Sequence, residues 1–153
     1  MTRTKVSRTI EAPVDVVFAA ISEIESFPAI MSSVIAIEFL SEAKSGFGTR
    51  FRETRMVNGK EVVTELEVTE WDPGARIRMI ADSHGTIWDS VFTVRAVDGQ
   101  TELVLTMDAR PKRIFTSLLN PVLKGLINKG LEQHMDAIKE YCESAERATH
   151  QRG

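Results

Sequence analysis

The chain has a single cysteine, Cys142, so it can form no internal disulfide and nothing points to an oxidising compartment. It has no basic excess either. Nineteen Lys and Arg against 22 Asp and Glu leave a net charge of -3, which argues against a nucleic-acid-binding surface. No apolar run approaches the ~20 residues of a membrane span, and the opening MTRTKVSRTIEAP lacks the apolar segment of a signal peptide. Three scattered histidines without ligand spacing argue against a metal site. No glycine-rich phosphate loop, internal repeat, linker or low-complexity tract is present. The expectation is one cytoplasmic domain over residues 1–153, with no cofactor, no nucleic-acid partner and no integral membrane segment. At 42% hydrophobic and 27% charged residues it is ordinary for a globular chain and long enough to bury a core. Oligomeric state is not readable from these features.

What is present is organised around the stretch from Pro111 to Glu146. Phe115, Leu118, Leu119, Val122, Leu126, Leu131, Met135, Ile138, Cys142 and Ala145 recur in steps of three and four, which predicts one apolar stripe on a helix. Pro121 removes a backbone donor, so the main helix is expected from 121 to 147. Residues 112–120 then form a separate lead-in that could close one end of a cavity, and the tail after Ala145 is expected to fray. Gly125 and Gly130 cost this helix about 1 kcal/mol each, and their small size suits close approach of a strand or ligand.

Everything before the helix reads as short strands and tight turns. Residues 4–11 alternate as a first strand, with Val6, Arg8 and Ile10 on one face. Pro13 starts a short helix, and Ser22 is expected to cap a second one that stops near Pro28. Residues 33–41 read as the second strand. Asn58-Gly59 joins two alternating runs, a strong hairpin signal that pairs Val57 with Lys60, Arg52 with Glu65 and Arg50 with Glu67. Asp98-Gly99 does the same further on, pairing Arg95 with Glu102 and setting Trp88, Ser90, Phe92 and Val94 against Leu103, Leu105, Met107 and Ala109. Asp89 and Asp108 then face each other on the outside and repel unless a cation or a lysine intervenes, which marks either a surface feature or a small error in the register. One charged face and one apolar face are what an antiparallel sheet with one covered side requires. The expected class is α+β: a curved antiparallel seven-stranded sheet wrapped around a long C-terminal helix, with two short helices between strands 1 and 2.

This order of elements resembles the helix-grip superfamily of START domains (SRPBCC), and in particular its polyketide cyclase/dehydrase-like branch. The resemblance spans nearly the whole chain. It rests on IEAPVDVVFAAISEIESFP at 10–28, Gly-Phe-Gly-Thr at 46–49, EVTEWDPG at 67–74, GQTEL at 99–103 and LEQHMDAIKEYCESAE from Leu131. It implies a cavity between sheet and helix, and members that carry lipids, bind ligands or catalyse cyclisation. The hairpin registers put Phe51, Leu66, Met79, Trp88, Phe92, Leu105 and Met107 on the sheet side of that cavity. Leu119, Leu126, Leu131 and Met135 come from the helix. These side chains suit a hydrophobic small molecule, and they would equally fill a core beneath a one-sided sheet.

Glu53 and Arg55 carry charge onto the inward face, where they must pair or meet water, and where they could orient a polar ligand group, a carboxylate or carbonyl at Arg55. Arg8 could share that space, and the hairpin end could solvate it. His134 sits at the edge of the helix stripe, as a proton donor or acceptor in the cavity or as a boundary histidine. Two functions follow: a carrier of a lipid, polyketide-like aromatic or isoprenoid, or a cyclase/dehydratase using the same polar groups for acid–base work. An interaction module without a ligand is a third. Ser90 has no base beside it, so a nucleophilic triad is not supported.

Overall fold

The computed structural model describes residues 2–83, 85–112 and 121–152. The order is β1 (Thr2–Ile10), α1 (Val14–Ser22), a 3-10 turn (Ile24–Ser26), α2 (Phe27–Ile30), β2 (Val34–Phe39), β3 (Arg50–Val57), β4 (Lys60–Asp72), β5 (Arg76–Ser83), β6 (Thr86–Val97), β7 (Gln100–Pro111) and α3 (Pro121–Arg152). All strands pair antiparallel in one sheet ordered β1-β7-β6-β5-β4-β3-β2, which curves around α3 in the helix-grip arrangement. Consecutive strands are neighbours except at one place, where β1 closes against β7.

Both hairpin registers match the sequence expectation. Val57 faces Lys60 and Arg52 faces Glu65, while Val97 faces Gln100 and Asp89 faces Asp108. The turns carry the reason: Asn58 and Asp98 both take φ of 51°, and Gly59 and Gly99 follow at positive φ, the geometry a two-residue hairpin demands. The Asp89–Asp108 juxtaposition is real, and arginines rather than a lysine resolve it. Arg78 grips Asp89 at 2.9 and 2.6 Å, Arg110 adds a contact at 2.9 Å, and Arg3 holds Asp108 at 2.8 Å. The hydrogen bonds from Arg78 and Arg3 keep both carboxyls below the usual aspartate range.

Three local expectations change, and β4 carries a bulge. Ser22 does not cap a second helix. It ends α1 and donates its hydroxyl to Phe18 O at 2.6 Å. Pro28 opens α2 rather than stopping it, because the N–H it lacks would be unpartnered in a first turn. β4 runs on to Asp72 through a bulge between Val68 and Glu70, which re-aims Trp71 inward to meet Phe18 edge-on at 5.5 Å. The helix does not fray at 147 but continues to Arg152, with Glu146–His150 and Glu140–Arg147 pairs along its last turns.

The core joins β1, α1, the sheet's inner face and the middle of α3, where Leu131, Met135, Ile138 and Cys142 are all buried. Burial pushes the Cys142 thiol up to about 11 and leaves it un-ionised. Polar contacts fasten α3 to the start of the chain: Arg8 to Asp136 at 2.7 Å, Lys139 to Thr9 O at 2.7 Å, and the Glu11 N–H to Glu143 at 2.9 Å. Arg8 is thereby occupied at the helix and takes no part in the cavity. At the two ends of the expected stripe Leu126 and Ala145 are exposed. Phe115, Leu118, Leu119 and, apart from Lys112, the lead-in at 112–120 lie outside the described residues, as does the Val122 side chain. No helix among the described residues is long and apolar enough to cross a membrane.

Candidate functional site

The sheet and α3 do not meet along their whole length. Between β3–β7, the α1–α2 segment and the first turns of α3 lies a cavity of about 560 Å3, within the ~300–1,000 Å3 typical of small-molecule sites. Leu66, Met79, Trp88, Phe92, Leu105 and Met107 line it from the sheet, and Leu126 and Leu131 line it from the helix. They converge because inward positions alternate along each strand and the antiparallel registers align those positions across the sheet. Gly130 also lies on the wall, and a methyl group added there would meet no atom of the described residues within 4 Å. Among the described residues no strand packs against it; the glycine leaves open space.

Two expected lining residues are elsewhere. Phe51 is fully buried and packs edge-on against Phe27, ring centroids 6.2 Å apart, so it supports the cavity's end from within the core. Met135 is fully buried as well. At roughly 100° of rotation per helical residue, it is turned away from His134 into the core.

Glu53, Arg55 and His134 all lie on the cavity wall. Glu53 is 7% exposed, so the hairpin end does not solvate it. Its carboxylate is instead ion-paired with Arg55 two residues along the same face of β3. Arg55 also points Nη2 at the Met31 sulfur, 3.9 Å away. His134 packs edge-on against Phe92, ring centroids 5.9 Å apart. Burial, reinforced by the positive charge of Arg55, pushes its pKa down to about 3, so the imidazole is neutral at ordinary pH. Among the described residues no cluster of three or more His, Cys, Asp or Glu could hold a metal ion.

Sequence reasoning missed the floor made by Ala20, Ile21, Phe27, Ile30 and Met31, and the contributions of Val57, Val62, Thr64, Ser83 and Ile127. α2 has four residues, too few for a periodic pattern to say which side faces inward. Val57 and Val62 were legible in principle, since the register puts both on the inward face near the hairpin tip.

The profile of a family described as polyketide cyclase / dehydrase and lipid transport matches residues 1–143. Among solved structures, the Zhui aromatase/cyclase from a Streptomyces species superposes with a TM-score of 0.82 at 16% identity, covering 97% of each chain. A protein from Thermus thermophilus gives 0.78 at 22% identity, over 94% of this chain and 99% of the other. A START superfamily protein from Mycobacterium smegmatis gives 0.78 at 16% identity, over 94% and 98%. At these identities the likeness speaks for the fold. No curated protein sequence matches the chain.

Proposed function

We propose a function for this chain, which belongs to the polyketide cyclase/dehydrase and lipid transport family: it binds a hydrophobic small molecule, such as a lipid, a polyketide-like aromatic or an isoprenoid, in the cavity between sheet and α3. A partly open space of about 560 Å3 with aliphatic, aromatic and methionine side chains over most of its wall supports this reading. A flat ligand losing roughly 300 Å2 of apolar surface there would gain about 7.5 kcal/mol at ~25 cal/mol per Å2, before the costs of association. Met31, Met79 and Met107 suit an irregular outline, because their unbranched side chains adapt to shape. A cytoplasmic setting fits the single, buried Cys142, which leaves no disulfide to protect.

The cyclase/dehydratase alternative draws on Glu53, Arg55 and His134 sharing one wall. His134 weighs against it. An imidazole with a pKa of about 3 carries no proton to give at neutral pH and accepts one poorly. Glu53 is tied to Arg55. Carriage therefore ranks above catalysis.

Native mass spectrometry on protein purified from its own host tests the reading. The expected result is a co-purified hydrophobic mass, removed by organic extraction. Adding it back at ~100 times its Kd should restore about 2.7 kcal/mol of stability. Protein that purifies empty, and that fails to take up Nile red in its cavity, would overturn the proposal. Carriage and catalysis separate on Glu53→Gln and His134→Ala: if a substrate is found and its turnover is unchanged in both, acid–base chemistry by these groups is excluded.

A further inference from the structure

The charged side chains on the cavity wall are two among the described residues, Glu53 and Arg55, and they cancel. We infer that the ligand, on the carrier reading above, presents an uncharged hydroxyl, phenol or enol to Glu53, Arg55 and His134, and that the cavity rejects carboxylate, phosphate and ammonium heads. An anionic head would reach Arg55 only beside the Glu53 carboxylate, whose side chain is 8% exposed and ion-paired with Arg55. A cationic head approaching Glu53 meets Arg55 in the same way. Either ion gives up part of its hydration and finds no net opposite charge in return.

A neutral hydroxyl suits all three groups. Arg55 has five N–H donors. Among the described residues its Nε serves Glu53, while Nη2 faces only the weakly accepting Met31 sulfur at 3.9 Å. Those donors can bond a hydroxyl or enol oxygen. The Glu53 carboxylate has acceptor capacity beyond its one contact with Arg55 and can take the ligand O–H. His134 offers one N–H and one lone pair in its neutral form and makes no hydrogen bond among the described residues. It packs instead against the Phe92 ring. Burial and the charge of Arg55 keep it in that form. The wall thus holds donors and acceptors at zero net charge, which matches a group that both donates and accepts.

Three fluorescent probes of one shape test this: pyrenemethanol, pyrenecarboxylate and pyrenemethylammonium, titrated at neutral pH with Trp88 on the cavity wall as energy donor. The alcohol should bind at least about tenfold more tightly than either ion. Glu53→Gln leaves Arg55 unopposed and should shift the preference about tenfold or more toward the carboxylate, while Arg55→Gln should shift it toward the ammonium. An ionic probe that binds the unaltered protein as tightly as the alcohol overturns the inference and leaves the carrier reading standing. So does a folded Glu53→Gln protein with unchanged order. Failure of all three probes to bind overturns the hydrophobic-cavity reading and this inference with it. Should the variants not fold, the comparison on the unaltered protein decides alone.

Discussion

His134 holds in neutral form an imidazole whose ordinary pKa is 6.5, and this couples the cavity to the stability of the fold. As pH falls below 6.5 the unfolded chain takes up a proton that the folded chain refuses until about 3, so stability drops across that window. The limiting slope is about 1.4 kcal/mol per pH unit, or about 2 kcal/mol between the ordinary pKa and pH ~5. Urea unfolding of the unaltered protein and of His134→Phe at pH ~7 and ~5 checks this. The variant should show the shallower pH dependence, whatever its offset, and parallel dependences would show that His134 does not titrate as described. The sequence located His134 at the edge of the helix stripe, yet burial depends on what lies opposite. Phe92 and Arg55 come from β6 and β3, some 40 and 80 residues earlier in the chain.

Among the elements, α3 was legible in outline and misread at its margins. Its stripe buries Leu131, Met135, Ile138 and Cys142, but Leu126, in the same periodic series, is 61% exposed where the helix passes the cavity. Periodicity reports a face and not whether anything packs against it. Gly125 and Gly130 make this testable, since a Cβ at either meets no atom of the described residues within 4 Å. Alanine at each should stabilise the helix by about 1 kcal/mol, raising Tm by roughly 2–4 °C. Gly125→Ala should leave ligand affinity unchanged. Gly130→Ala puts its methyl on the cavity wall and should weaken a ligand that fills that end. Calorimetry with and without ligand reads both, and a destabilised Gly125→Ala would mean that something packs against that face in solution. The bulge in β4 escaped notice because no residue type there demands it. It becomes visible only as the turn of Trp71 toward Phe18.

For the whole molecule, closure rests on β1. It pairs with β7 from Thr2↔Ala109 to Ile10↔Thr101 and carries the contacts from Arg8 and Thr9 to Asp136 and Lys139 on α3. Deleting residues 1–10 would strip Val6 and Ile10 from the core and leave β7 as an open edge. The shortened chain should lose its cooperative thermal transition and near-ultraviolet circular dichroism, and should self-associate. A monomer melting as the full chain does would show that β1 is dispensable.

The sequence by itself determined both hairpin registers, the inward and outward faces of the sheet, the long one-sided helix and the placement of Glu53 and Arg55 on the covered face. Those features are local: two-residue turns with positive φ set the pairing, and strand alternation does the rest. The seven-stranded helix-grip arrangement was expected from the order of elements and their resemblance to a known superfamily. Only the tertiary structure decided that this covered face leaves a space beneath it. Inward-facing side chains look the same in a sequence whether they touch or stand apart, and the difference is the separation between sheet and helix. That separation left Leu66, Trp88 and Leu131 around a cavity, drew Phe51 and Met135 into solid packing, and set the Glu53–Arg55 pair and a neutral His134 on one wall.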